Sequence, residues 1–486
     1  MIRILLAAAL VAASVHARGD SMTATDIRDS FIRGGSAAGI AESALNKIEQ
    51  TDDDYNAVII AGGEGVTRET ARLDALGAAE RTELPLAGVP ILVKDNVEVR
   101  DWPTTAGSLA LAANDTKRDA ALITHLREAG AVILGKANLS EWANFRSEQS
   151  ISGWSGVRGQ ARNAHDPARS PCGSSSGSAV AVALGYVPVA IGSETDGSIV
   201  CPASVNGVVG FKPTHGIVSG EGVVPLAATQ DTAGPIAISV RDAATTLGAM
   251  LPADHEQRKG LINLTVPEKL GGTRIGVFMN TQGFDKRRDD LLAANLKVLS
   301  SLGAELIPDV KAEPYPEFGG DEYQVLLYEF KHQLDAYLAA LPNELSELTL
   351  AKIIEFNKSS SVELSLFDQS IFDKSLALEM TEAQYKETLA KIKKAAREDG
   401  LDKLLQEHEL DVIVGITVGP SWMIDDINGD AFHGPSMSSL PAVGGHPHIT
   451  VPMGDIKGMP VGLSFVGARF ADAEVAAIAA AFEEAR

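Results

Sequence analysis

Dense apolar runs of four or five residues recur along the chain, at 57–61, 89–93, 131–134, 187–191 and 208–211, with helical or glycine-rich stretches between them. Such runs, bounded by turn formers, predict buried strands. Residues 23–50 predict a helix, because Ile27, Phe31, Ile40, Ala44 and Ile48 recur at roughly helical spacing. The stretch 179–191 reads as a helix feeding a buried strand. Between about 283 and 410 the pattern changes to long charged amphipathic helices, such as 321–341 with Val325, Leu326, Tyr328, Leu334, Tyr337 and Leu338. That block predicts a helical layer or insertion around the sheet, and its aromatic stripe is assigned to core packing rather than to a cofactor. Strand texture returns at 411–416 and in a hairpin-like pair at 448–452 and 460–466, before a closing Ala-rich helix. The alternation predicts an α/β fold: a single large, interwoven domain with a mixed twisted β-sheet covered by helices on both faces.

At 486 residues and 45% hydrophobic content the chain can bury a large core, and length alone fits one domain or two. Arg3, an apolar run over 4–15 and the small-residue site Val15-His16-Ala17 predict a secretory signal peptide at 1–17, leaving a mature domain of 18–486. The run is too short to span a bilayer, and no later stretch reaches the roughly 20 apolar residues a membrane helix needs. A soluble periplasmic or secreted protein with no membrane partner is expected. The net charge of −22 excludes nucleic acid as an expected partner, since phosphate contacts need clustered Lys and Arg. Cys172 and Cys201 are the only cysteines. They are expected to be two small buried hydrophobes, although an oxidising compartment would also permit a bond between them.

Two hydroxyl-rich turns carry the candidate chemistry. Pro171-Cys172-Gly173-Ser174-Ser175-Ser176-Gly177-Ser178 runs straight into the helical stretch at 179–184, so its amides crowd a helix N-terminus. Gly173-Ser174-Ser175-Ser176-Gly177 fits the G-x-S-x-G nucleophile elbow in letters, but the polar, proline-containing residues 162–172 before it form no strand, and the elbow fails on context. A phosphate loop fails too, for want of its lysine. In the second turn, Thr195-Asp196-Gly197-Ser198 follows an apolar strand and precedes a short helix, a junction where successive N–H groups can bind an oxyanion. A nucleophilic serine needs a base, and neither turn holds a histidine. Lys94 ends the apolar strand of Val89-Pro90-Ile91-Leu92-Val93-Lys94, where lost solvation would lower its pKa and free the amine. With no S-x-x-K in the chain, any serine–lysine pair must join distant segments. Among the ten histidines no H-E-x-x-H occurs, and His446-Pro447-His448 is assigned to turn or core rather than to a metal.

Val93-Lys94-Asp95-Asn96, the Gly173–Gly177 loop and Thr195-Asp196-Gly197-Ser198-Ile199 follow the order and spacing of the amidase signature family, which the chain resembles over almost its whole mature length. The resemblance continues through Gly207–Thr214, Asp231-Thr232-Ala233-Gly234-Pro235 and Val451-Pro452-Met453 with Pro460–Leu463. Glu194 and Asp196 stand where many members have aspartate and glycine. With Ser140-Glu141-Trp142-Ala143-Asn144-Phe145-Arg146, they resemble the bacterial peptide amidase branch. The resemblance implies a Ser-Ser-Lys triad of Ser198, Ser174 and Lys94. It also implies an oxyanion hole of the Thr195, Asp196, Gly197 and Ser198 amides, a cis peptide before Ser174, and an acyl-enzyme route that needs no metal or organic cofactor. A carboxylate at 196 would oppose the developing charge, so its side chain is expected to be oriented away or hydrogen-bonded. Trp142, Phe145 and Arg146 are candidates for lining the acyl side of the cleft, with a core role as the alternative for the two aromatics.

The expected substrate is a small-molecule or peptide amide, foremost the C-terminal amide of peptides, on a monomer or homodimer. Aryl or acyl amides, or esters, are the alternative. A catalytically dead binding protein is disfavoured by the intact Lys94, Ser174 and Ser198. A subunit that supplies ammonia to charged tRNA is disfavoured by the export signal and the acidity.

Overall fold

The computed structural model describes residues 22–486; the predicted signal peptide lies outside them. Thirteen strands are found among the described residues. They are β1 (Val58–Ala61), β2 (Pro90–Lys94), β3 (Val132–Ala137), β4 (Trp154–Ser155), β5 (Gly159–Gln160), β6 (Val189–Glu194) and β7 (Val209–Lys212). After them come β8 (Thr232–Ala237), β9 (Arg274–Phe278), β10 (Glu305–Val310), β11 (Val412–Ile416), β12 (His448–Ile456) and β13 (Met459–Gly467). Eleven form one sheet in the order β1-β3-β2-β6-β8-β7-β12-β13-β11-β9-β10, while β4 and β5 pair as a separate ribbon. The sheet is mixed: β3, β2 and β6 run parallel, as do β11, β9 and β10, and the other neighbours are antiparallel.

Every residue of β2, β3, β6, β8 and β11 is buried. Successive strand side chains point to opposite faces, so both faces of the sheet are covered. That is why β2, β3, β6 and β11 read as apolar runs. The α/β domain with helices on both faces is the predicted architecture.

The structure corrects three element predictions. The segment 23–50 is two helices, Ala24–Ile32 and Ala37–Thr51, broken where Gly34 turns to a φ of 103°. The strand β8 was not predicted, because Gly234 and Pro235 interrupt its apolar run. The helix-rich region contains the edge strand β10, whose residues are mostly exposed or half-buried and include Pro308.

Within that region the helix Phe318–Ala339 buries Val325, Leu327, Phe330, Leu334 and Leu338. Its stripe is core, as expected, although Tyr328 is outside it. Leu327, Phe330, Leu334 and Leu338 pack with Trp142, Phe145 and Leu226, which fixes the insertion against the carboxyl ends of the parallel strands, while Val325 packs with Ile392 and Val443.

Candidate active site

Strands β2 and β6 are parallel neighbours, with Val93 opposite Ile191. Their last residues, Lys94 and Glu194, therefore emerge at the same edge, where open α/β sheets place their ligands. The helix Ser176–Ala183 packs on this edge, and the turn before it brings Ser174 in from the side.

Lys94 is fully buried. Its Nζ lies 2.8 Å from Ser174 Oγ, 2.9 Å from Ser193 Oγ and 3.0 Å from Ser193 O. Burial pulls its pKa down to about 7, against the upward pull of Asp231 and Glu194. A neutral amine has two N–H donors and one lone pair. The two donors suit Ser193 O and Ser193 Oγ, which leaves the lone pair for the Ser174 hydroxyl. Ser193 Oγ is itself held by Asn96 Nδ2 at 2.9 Å.

The peptide bond between Gly173 and Ser174 is cis. A Cβ at 173 would stand 2.1 Å from Ser140 Oγ, so any larger residue there would have to displace that hydroxyl. The two serine turns meet where Ser175 N–H donates to Ser198 O at 3.1 Å. Beyond β6, Gly197 takes a φ of 80°, a left-handed value natural to glycine, and the chain then enters the helix Val200–Asn206. Glu194 turns back to accept the N–H groups of Ile199 (2.7 Å) and Val200 (3.0 Å), which ties down that helix start. None of the hydrogen bonds among the described residues engages the N–H groups of Thr195, Asp196, Gly197 or Ser198. This row of free donors on a rigid junction can receive a developing negative charge.

The Asp196 carboxylate is turned aside, accepting a 2.7 Å hydrogen bond from Ser439 Oγ, which is the orientation expected of it. Thr195 Oγ1 donates to Asp231 at 2.6 Å. Gln230 Nε2 bridges Thr195 O and Glu322, a buried carboxyl of the long helix that burial and the nearby Asp196 push up to about 8.

A cavity of about 320 Å³ opens beside this edge. Its polar end is Asn96, Ser193, Thr195 and Asp231, and its apolar walls include Trp142, Val224 and Phe330. Trp142 lines this cavity. Phe145 does not: it packs edge-on against Phe330 and Tyr323 behind the wall. Arg146 is fully buried between Glu141 and Glu363 and lies over the Phe367 ring at 4.2 Å. Its charge is spent on these two carboxylates, so it holds the helical insertion to the core rather than facing a ligand.

Ser193, Asn96, Asp231 and Phe330 were not singled out from sequence. Asn96 and Asp231 carried a signal, since both stand inside quoted motifs, and Ser193 lies just before one; Phe330 carried none. Cys172 and Cys201 are joined in a disulfide, against the expectation of two separate thiols. His446 and His448 are buried, with Nε2 against Asp402 and Ser464 respectively, as core residues.

A buried lysine aimed at one serine, a second serine turn hydrogen-bonded to the first, and a row of free amides on a parallel-strand edge define a hydrolase that works on acyl groups. The Amidase family matches residues 39–476, and the chain belongs to it; it is an amidase, an enzyme of amide hydrolysis. The native peptide amidase of Stenotrophomonas maltophilia is 38% identical with a TM-score of 0.87, covering 95% of this chain and 96% of that one. A peptide amidase solved with the competitive inhibitor chymostatin is likewise 38% identical, with a TM-score of 0.89 over 95% and 97% of the two chains. A probable amidase of Arabidopsis thaliana is 38% identical over 425 residues, 83% of this chain and 78% of the plant protein.

Proposed function

We propose that the protein hydrolyses the C-terminal amide of peptides to the free acid and ammonia through an acyl-enzyme on Ser198. The observation that carries the mechanism is the 2.8 Å approach of the buried Lys94 amine to Ser174. Neutral Lys94 takes the Ser174 proton as Ser174 takes that of Ser198, whose oxygen attacks the amide carbonyl. The amides of Thr195, Asp196, Gly197 and Ser198 receive the oxyanion, each donor typically contributing about 3 kcal/mol. The relay then runs backward to protonate departing ammonia, and water repeats the cycle to release the acid. The cavity walled by Trp142, Val224 and Phe330 is suited to the side chain of the amidated residue.

The likeness to two peptide amidase structures over 95% of the chain supports peptides over small aryl or acyl amides. Ammonia release from a panel of amidated peptides, set against a fatty amide and an anilide, tests this choice. Turnover of the peptides is expected to exceed that of the others. Faster turnover of the fatty amide or anilide assigns the site to the other class.

The Asp196 orientation gives a second test. Asp196→Gly removes the bond from Ser439 and is expected to cost about 1–3 kcal/mol of stability without raising kcat. A higher kcat at an unchanged melting temperature contradicts a purely orienting role.

We place the enzyme in the periplasm or outside the cell. The apolar leader at 4–15 and the Cys172–Cys201 disulfide both support an oxidising, exported setting. Among the described residues no helix is long and apolar enough to cross a membrane.

A further inference from the structure

Ser174 is bracketed by links to the second serine turn. On its C-terminal side, Ser175 makes three hydrogen bonds across the gap. Its N–H donates to Ser198 O (3.1 Å), its hydroxyl donates to Ser193 O (3.0 Å), and the Ser175 Oγ accepts Ser193 N–H (3.1 Å). On the N-terminal side the link is covalent: Cys172, two residues before Ser174, is bonded to Cys201, three residues after Ser198. The Cα atoms are 6.0 Å apart and the sequence separation is 29.

The far end of the bond is itself tied to the oxyanion junction, since Cys201 N–H donates to Gly197 O at 2.8 Å. Cys172 has a φ of 56°, a left-handed conformation that non-glycine residues avoid, so the segment needs an outside hold to stay there. Both cysteines are buried with Val205, Val418 and Trp422, in a small cluster apart from the main core. The bond therefore ties together the two backbone turns that carry the Ser174 and Ser198 hydroxyls.

We infer that the Cys172–Cys201 disulfide is a positioning pair for the proton relay, holding Ser174 in register with Ser198, so that the dithiol form folds but turns over slowly. This rests on the assignment of Ser174 and Ser198 to one relay. A misplacement of about 1 Å at a reacting group can cost on the order of 100-fold in rate. Loss of the bond is accordingly expected to lower kcat by about 10- to 100-fold, with KM changed by less than about threefold. If the bond only stabilised the fold, its loss would lower the melting temperature and leave kcat intact well below it.

The experiment compares three forms of the full mature chain on one peptide amide. They are the oxidised protein, the same protein refolded under reductant, and Cys172→Ala/Cys201→Ala. Thiol alkylation and mass measurement fix the redox state, and circular dichroism checks the fold. Adding oxidised glutathione to the dithiol form should restore kcat. In that step the two cysteine thiols pass two electrons and two protons to one glutathione disulfide, forming the protein S–S bond and two glutathione thiols. Equal kcat for the oxidised and dithiol forms overturns the proposal. So does a fully active oxidised preparation that alkylates at both cysteines. Failure of both the dithiol and the alanine forms to fold also overturns it, the bond then being a requirement of folding. Ser198→Ala, assayed alongside, separates the two levels: activity in that variant removes the triad itself, whereas its inactivity beside an unaffected dithiol form removes only the positioning role.

Discussion

Ser198→Ala is expected to lower kcat by about 10⁶-fold, the scale seen when a serine hydrolase loses its nucleophile. The change removes one oxygen from a side chain that is 8% exposed, so the fold should survive with an unchanged melting temperature. The free amides of Thr195, Asp196, Gly197 and Ser198 stay in place, and with them a residual acceleration of about 10³–10⁴ over water. Ammonia release measures the loss. A fluorophosphonate, which labels the wild-type serine, should leave the variant unmarked. Retained labelling would move the nucleophile to another hydroxyl, Ser174 being the nearest to the base.

Lys94→Ala is expected to lower kcat by about 10²–10⁴-fold, the usual range for losing a positioned base. Arginine should not rescue it. A guanidinium stays protonated at every relevant pH and has no lone pair to offer Ser174. The sign of the pH dependence follows from the same group. Burial brings Lys94 to about 7, so the neutral, competent form is lost as pH falls through that value. Below it, kcat/KM should drop roughly tenfold per pH unit; above it, the lysine sets no further rise. In Lys94→Ala that acid limb should disappear.

The strands that deliver Lys94 and the second turn were legible because both their faces are buried, which leaves an unbroken apolar signature. The chemistry at their ends was legible for the opposite reason: a lysine closing such a run, and a glycine–serine turn on each side of a helix and strand, are hard to place in a plain core. What escaped depends on tertiary pairing. Ser193 looks like one more serine in a strand until β6 is laid beside β2, which puts it on the lysine. Arg146 stands in a motif shared with amidases, yet its partner Glu363 comes from the helical insertion more than two hundred residues later. Nothing local announces that pairing. β8 was hidden by Gly234 and Pro235, residues that argue against a central strand wherever they occur. The disulfide joins segments whose proximity follows only from the meeting of the two turns.

The relay from Ser198 through Ser174 to a neutral Lys94 is tested most directly by the pH dependence of fluorophosphonate labelling, measured on the wild-type protein and on Lys94→Ala. The wild-type rate constant should climb with pH through a midpoint near 7 and then level off, while the variant reacts at least a hundredfold more slowly with no midpoint there. A variant that keeps the wild-type rate and the same midpoint would contradict the relay.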